Sequence, residues 1–267
     1  MTAELSFLTL NIGNPSEQRA RRQLSWLAAR QEHVLVLTET KASAGCRLLV
    51  DGLTEAGWQV SYPVPEPGGY GVMIATTVRA EPGPFGDQVG YLPARAASVI
   101  LPLPSGPLEV IGAYVPSRDA GAEKTERKRT WLARCHAALT DRHPRYPAVF
   151  LGDLNILEPD HRPRYPFFAP FEYDFYRALV TDLNMTDVFR LRHRDAIEHS
   201  WVGRTGDGYR YDHVFCSAEV EHLVSGCEYL HQCRFDKLTD HSALTAQLEI
   251  EPPELLPRTP PIAATLF

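Results

Sequence analysis

Short apolar runs that end in polar side chains recur along this 267-residue chain. The clearest is AVFLGDLNI, residues 148–156, whose first four residues predict a buried strand that ends at Gly152. Alternate residues of an extended chain point the same way, so Asp153 and Asn155 are expected on one face, with Leu154 in the core. Such groups bind cations and phosphate oxygens, although an ordinary Asp-x-Asn turn has the same sequence.

The same pattern occurs twice near the N-terminus. Residues 5–10 read as a strand that ends at Asn11, and residues 33–38 form a second buried run that ends at Glu39. Further strands are predicted over residues 58–63, 70–78, 96–101, 108–115, 199–202, 209–217, 223–230 and 242–250. Few helical stretches separate the earlier runs, which favours antiparallel pairing over strict βαβ alternation.

Apolar spacings of three and four residues predict the helices. The first follows Asn14, which can cap it, with Pro15 in its first turn. Others are predicted over residues 44–56, 123–142 and 173–180, and residues 157–171 read as a proline-rich aromatic loop. The basic side chains of the third helix are interpreted as a solvated face. They are Lys124, Arg127, Lys128 and Arg129.

Amino-acid composition and charge limit the possible domain organisation, location and partners. With 44% apolar residues the chain can bury a large core, and we expect one domain over residues 1–250 followed by a proline-rich tail, 251–267. No apolar run could span a bilayer and no secretory signal is evident, so a cytoplasmic monomer without a membrane partner is expected. The five scattered cysteines are interpreted as reduced, mostly core thiols. A net charge of −6 leaves room only for a local basic patch.

The polar groups at predicted strand ends are all types that phosphoryl transfer can use. Glu39 and Asp240 suit a hard divalent cation such as Mg²⁺, and Asp153 is placed to take a proton from water. His241 could stabilise phosphoryl charge, particularly if Asp212 orients it. Each also has an ordinary alternative: a surface Asp-His pair, a helix cap or a strand-end aromatic. The full set is Asn11, Glu39, Tyr114, Asp153, Asn155, Asp212, Asp240 and His241.

Seven ordered motifs resemble the endonuclease/exonuclease/phosphatase superfamily, and within it the exonuclease III type of abasic-site endonucleases. They are LTLNIGN, LTETK, GAYVPS, FLGDLNI, HSWVG, YRYDHVF and LTDHSAL. The resemblance extends to about residue 250. It implies an α/β (α+β) fold: a four-layer αββα sandwich of two mixed β-sheets flanked by helices, with the active site at one edge of the sheets.

The resemblance also implies residue roles. Glu39 is similar to the main Mg²⁺ ligand of the family, with Mn²⁺ as another possible metal, and Asn11 and Asp240 would contribute directly or through water. Asp153 would position or deprotonate the attacking water, and Asp212 with His241 matches the family's Asp-His pair. The residues implied in holding the phosphate are Asn155, Tyr114, Ser117 and His241.

Three departures from the family pattern leave the substrate open. Ser117 stands where the repair enzymes usually have an amide, and Gly13 stands where they often carry Asp or Asn. The connection from Trp201 to Asp212, which forms part of the abasic-sugar pocket in those enzymes, is short.

These observations predict a Mg²⁺-dependent phosphodiesterase acting on the DNA backbone. The alternative is a phosphatase or phosphodiesterase acting on a small phosphorylated molecule such as a nucleotide, an inositol phosphate or a phospholipid headgroup, which the acidic charge and Ser117 favour. A binding scaffold that has lost its chemistry is disfavoured because the four central residues are all present. These are Glu39, Asp153, Asp240 and His241.

Overall fold

A computed structural model describes residues 4–143 and 145–258. They form two six-stranded sheets and a two-stranded hairpin, with elements numbered in chain order. In spatial order, the first sheet comprises β13 (Val224–Leu230), β14 (Ala243–Leu248), β1 (Leu5–Asn11), β2 (Val34–Thr40), β4 (Gly71–Thr76) and β3 (Gln59–Ser61). The second comprises β5 (Glu81–Gly83), β6 (Ala96–Leu103), β7 (Gly106–Tyr114), β8 (Ala148–Asp153), β12 (Asp212–Ser217) and β9 (Met185–Asp187). The hairpin comprises β10 (Trp201–Val202) and β11 (Gly208–Tyr209).

Helices cover the sheets. They are α1 (Glu17–Ala28), α2 (Ala44–Glu55), α3 (Phe85–Val89), α4 (Ala122–Thr140), α5 (Pro170–Thr181), α6 (Val188–Arg192), α7 (Ala218–Glu221) and α8 (Gln232–Phe235), with a 3-10 helix at Pro93–Arg95. In the part of the chain that the structure describes, no helix has the length and apolar character needed to cross a membrane.

Three apolar cores establish the order of the layers. One core, with Phe7 and Leu151 among its members, joins the two sheets face to face. A second joins Trp131 of α4 to Phe150 of the second sheet, and a third packs α1 and α2 against the outer face of the first sheet. The predicted four-layer αββα sandwich of two mixed sheets is therefore confirmed.

Parallel pairing at the centre of each sheet brings the polar strand ends together. In the first sheet β1 runs parallel to β2 and aligns Asn11 with Thr38, the residue before Glu39. In the second sheet β7 runs parallel to β8 and aligns Tyr114 with Asp153. The other ladders are antiparallel, as predicted. The carboxyl ends of all four central strands thus meet at one edge of the sandwich.

The predicted cap of the first helix was wrong. This helix is capped by Ser16, whose hydroxyl accepts the Arg19 N–H, and not by Asn14, which has a φ of +40°. In the described part of the proline-rich tail, Leu255 pairs with Val78, and the Arg258 guanidinium donates to the carbonyls of Ala28 and Arg30. The rest of the predicted tail, residues 259–267, lies outside the described residues. All five cysteines are free and buried, as expected.

A buried ion network beside β9 and β12 should make the fold sensitive to acid. The fully buried Arg210 guanidinium donates to Glu158 and Asp187. Burial works to raise the pKa of Glu158, but Arg190 and Arg210 outweigh it and lower that pKa to about 2. Arg210 likewise holds the pKa of Asp187 well below its usual value, against the effect of burial. Since both carboxyls have a lower pKa in the folded state, their stabilisation is present above the unfolded value and is lost on acidification.

We therefore expect the free energy of unfolding to decline as the pH falls from about 4 towards 2, the interval between the unfolded and folded pKa of Glu158. Urea titrations across this interval measure the decline. In an Arg210→Met variant the protein should be less stable at pH 7 and its stability should depend less on pH below 5. An equal pH dependence in both proteins would contradict this assignment.

Candidate active site

The Asp212–His241 pair lies at the edge where the central strands end. Asp212 begins β12 and is fully buried, and His241 Nδ1 donates to its Oδ2 at 2.8 Å. The other ring nitrogen, Nε2, lies 4.0 Å from Asp153 Oδ2. Burial works to lower the pKa of His241, but the carboxylates of Asp212 and Asp153 outweigh it and raise that pKa to about 9. The imidazole is therefore held in its charged form near neutral pH.

Asp153, the last residue of β8, faces this imidazole. Its Oδ2 accepts from Asn11 Nδ2 at 2.8 Å and its Oδ1 accepts from the Asn155 backbone N–H at 3.0 Å. Burial, reinforced by the neighbouring Asp212, raises the pKa of Asp153 to about 7, while His241 opposes the shift. A carboxylate with such a pKa can accept a proton at neutral pH and release it again.

Glu39 occupies a bulge in the β2–β4 ladder and has a φ of +57°. Its Oε2 accepts from Asn11 Nδ2 at 3.0 Å and from the Tyr114 hydroxyl at 3.1 Å. Burial, with Glu39 and Asp153 nearby, holds the pKa of Tyr114 far above its usual range, so the hydroxyl remains a donor. Asn11 Nδ2 thus bridges two carboxylates, while its Oδ1 accepts the Gly13 N–H at 2.9 Å.

Most of the predicted site residues line one cavity of about 240 Å³. The lining members of the predicted set are Glu39, Tyr114, Ser117, Asp153, Asn155, Asp240 and His241. Asn11 and Asp212 lie directly behind this wall and bond to Glu39, Asp153 and His241. The structure therefore brings together every residue that the sequence singled out.

The carboxylates fit a hard divalent cation. Asp153, Asp212 and His241 each offer an atom within 4.8 Å of the others, and Asp212 Oδ1 is buried without a hydrogen-bond partner among the described residues. Glu39 and Asp240 add two more carboxylates at the cavity wall. Oxygen ligands are those that Mg²⁺ and related cations prefer. Since such cations prefer oxygen, the carboxylates around His241, and not its ring, are the suitable donors.

Aromatic side chains from the long loop and the hairpin form an aromatic wall in the same cavity, which sequence reasoning missed. In the short hairpin over residues 201–209, Trp201 pairs with Tyr209. Tyr209 stacks on Tyr211 at 5.1 Å and on Tyr165 at 4.3 Å. Trp201 and Tyr211 line the cavity with Phe168, and the Trp201 indole donates to Asp240 Oδ2 at 2.9 Å. The alternation of aromatic residues at 209 and 211 was the available signal.

Two basic side chains at the cavity are buried. Lys128 was predicted on a solvated face, but it is only 1% exposed and lines the cavity. Its place three residues before Trp131, on the buried stripe of α4, was a signal for this orientation. The Arg118 side chain is only 7% exposed and pairs with Glu172 at 2.7 Å.

Comparison with solved structures supports the fold. An AP endonuclease from Archaeoglobus fulgidus is 21% identical with a TM-score of 0.77, covering 92% of this chain and 100% of its own. The 3′ phosphatase NExo from Neisseria, bound to a product DNA hairpin, is 22% identical with a TM-score of 0.76, covering 91% and 99%. The 3′-5′ exonuclease NExo from Neisseria meningitidis is 22% identical with a TM-score of 0.77, covering 91% and 99%.

Sequence comparison gives the family. No curated protein matches the chain significantly. Residues 8–241, which include every residue of the predicted site, match the Endonuclease/Exonuclease/phosphatase family. The chain therefore belongs to the endonuclease/exonuclease/phosphatase family, whose members are enzymes that hydrolyse phosphoric esters.

Proposed function

We propose that this enzyme is a metal-dependent phosphodiesterase that cleaves the DNA backbone by in-line attack of water and leaves a 3′ hydroxyl. The observation that carries the proposal is the combination of groups that line the cavity. Asp153 and the charged His241 lie 4.0 Å apart there, and the side chains of the aromatic wall line the same cavity. A phosphate joined to a nucleoside or an abasic sugar likewise combines an anionic part with a less polar part.

Asp153 is the proposed general base. Its carboxylate is buried, its pKa is raised to about 7, and the Asn11 amide and the Asn155 N–H fix both of its oxygens. Water placed against it would lose a proton as its oxygen attacks phosphorus. A positioned base of this kind contributes about 10²–10⁴-fold to a rate.

The proposed charge stabilisers lie around this carboxylate. His241 would donate from Nε2 to a phosphoryl oxygen, because Asp212 holds its Nδ1–H and keeps the ring charged. Asn155, with Ser117 at the same wall, would hold the other phosphate oxygens, and Tyr114 would join them by turning its single hydroxyl proton from Glu39 to the phosphate. These donors act where negative charge grows during the reaction.

Glu39 and Asp240 are the proposed ligands of Mg²⁺ or Mn²⁺. Asn11 holds the Glu39 carboxylate from one side and the Tyr114 hydroxyl holds it from the other. Trp201 similarly fixes one oxygen of Asp240. When bound, the cation supplies positive charge that stabilises the phosphoryl oxygens and the leaving oxygen.

A phosphatase or phosphodiesterase acting on a small phosphate ester is the second candidate. A net charge of −6 disfavours a long polyanion, and the short Ser117 hydroxyl reaches less far than an amide. One structural neighbour is named as a 3′ phosphatase, an activity that removes a terminal phosphate.

The deciding experiment compares a duplex oligonucleotide carrying one abasic-site analogue with undamaged duplex and with a panel of phosphate monoesters. We expect nicking beside the lesion with Mg²⁺, no nicking with EDTA, and recovery when Mg²⁺ is restored in excess. Hydrolysis of the monoesters alone would replace the proposal by its alternative. Activity that persists in EDTA would contradict the metal requirement in both.

A salt titration provides a second criterion. Binding that neutralises several phosphates should weaken steeply as salt rises, with a log-log slope of about −0.9 per contacted phosphate of duplex DNA. A small phosphate ester should show a much shallower slope.

A further inference from the structure

Lys128 is the fully buried member of the basic run on α4, in which Lys124 and Arg129 are exposed. The side chain of Lys124, one turn earlier, is 51% exposed and pairs with Asp119 at the surface. The Lys128 side chain is 2% exposed, and it lines the floor of the catalytic cavity. Burying an ammonium group is costly unless its donors are matched by acceptors. The hydrogen-bond acceptors around the Lys128 ammonium therefore indicate the role of this side chain.

Two acceptors hold the Lys128 ammonium. Nζ donates to Glu172 Oε1 at 2.6 Å and to the Asn155 carbonyl oxygen at 2.5 Å. Glu172, fully buried at the start of α5, also accepts from Arg118 and from the Ala169 N–H. Arg118 follows the Tyr114–Ser117 segment, and its guanidinium donates as well to the Phe167 carbonyl of the aromatic loop. Lys128, Glu172 and Arg118 thus connect the Tyr114–Ser117 segment and Asn155 to the aromatic loop.

Asn155 needs this support because its backbone is in the left-handed region, with a φ of +48°. Its N–H donates to Asp153 Oδ1 at 3.0 Å and its side-chain amide donates to the Val115 carbonyl at 3.1 Å. The Lys128 ammonium supplies the third restraint, on the carbonyl. Three of the four polar groups of Asn155 therefore have a hydrogen-bond partner that holds the residue beside Asp153.

We propose that Lys128 is a positioning residue: by holding the Asn155 carbonyl it fixes the Asn155 N–H against Asp153 and the Asn155 side chain against the substrate phosphate. This role rests on the proposed function for its effect on turnover. Arg118 and Glu172 complete the support, since Glu172 anchors the ammonium and Arg118 anchors Glu172.

The test is a Lys128→Met variant. Glu172 keeps its bonds from Arg118 and Ala169, so the fold should be retained while the Asn155 carbonyl loses its donor. We expect kcat/KM for a phosphodiester to fall about 10–100-fold, as is usual for residues that orient catalytic groups, with most of the loss in kcat. Lys128→Arg, which keeps a charged donor, should recover most of this loss. Lys124→Met, on the same helix, should behave as wild type.

Hydrogen exchange gives a readout that is independent of the substrate. In Lys128→Met the amides of residues 153–157 should exchange faster than in wild type, while the core strands keep their protection. Unchanged exchange there, or unchanged kcat with a lower melting temperature alone, would overturn the positioning role. Activity is measured on the abasic duplex and on bis(p-nitrophenyl) phosphate. A wild-type protein inactive on both would refute the proposed function, and the exchange result would still decide the role of Lys128.

Discussion

An Asp153→Asn variant should hydrolyse phosphodiesters about 10²–10⁴-fold more slowly than wild type, the range expected for loss of a general base. The substitution preserves size, and the new amide oxygen can still accept from Asn11 Nδ2. The substitution removes the carboxylate that would take a proton. Burial and the neighbouring Asp212 raise the pKa of this carboxyl group to about 7. Steady-state and single-turnover rates at saturating Mg²⁺ measure the effect.

The control for this variant is Asp174→Asn, which changes an exposed carboxylate on α5 that pairs with Arg177 at the surface. It should leave the rate unchanged. Binding of the uncut duplex, measured by fluorescence anisotropy, should change little in Asp153→Asn because a base acts on the transition state more than on binding. A normal rate in Asp153→Asn would remove Asp153 from the proton transfer, and a large loss of binding instead would assign it to substrate or metal binding.

The sheets and the set of polar strand ends were predictable because both follow from local pattern. A buried strand stays apolar until it reaches the edge of the sheet, so Glu39 and Asp153 stand out where their runs end. Parallel pairing then carries neighbouring ends to the same edge. The resemblance in seven ordered motifs supplied the αββα arrangement, which periodicity alone does not give.

The parts that were missed depend on partners far away in sequence. Lys128 can be buried because Glu172, 44 residues later, accepts a hydrogen bond from its ammonium group. The aromatic wall exists because Tyr165 of the long loop stacks on Tyr209 of the hairpin. A helical pattern shows which side chains share a face, but it does not show which charge will meet its partner inside the fold.

The second large effect concerns the Asp212–His241 pair. His241→Ala should lower phosphodiester hydrolysis by about 10²–10³-fold, because a preorganised donor to the developing phosphoryl charge is lost. Asp212→Asn should also lower it, because the ring then loses the carboxylate that raises its pKa and holds its Nδ1–H. Since Asp212 acts through His241 in this scheme, the double variant should be about as slow as His241→Ala alone. Rates of the four proteins, measured across a Mg²⁺ titration that reaches saturation, complete the cycle.

The outcome of this cycle distinguishes two roles for Asp212. Its Oδ2 is engaged by His241, but its Oδ1 is buried without a hydrogen-bond partner among the described residues and lies in the same cluster of donors as Asp153. If Asp212 only orients the imidazole, the two losses do not add. Additive losses, together with a higher Mg²⁺ requirement in Asp212→Asn than in His241→Ala, would show instead that Asp212 binds the cation itself. The orphaned oxygen of Asp212 would then be a metal ligand, and the metal site would extend behind the cavity wall beyond Glu39 and Asp240.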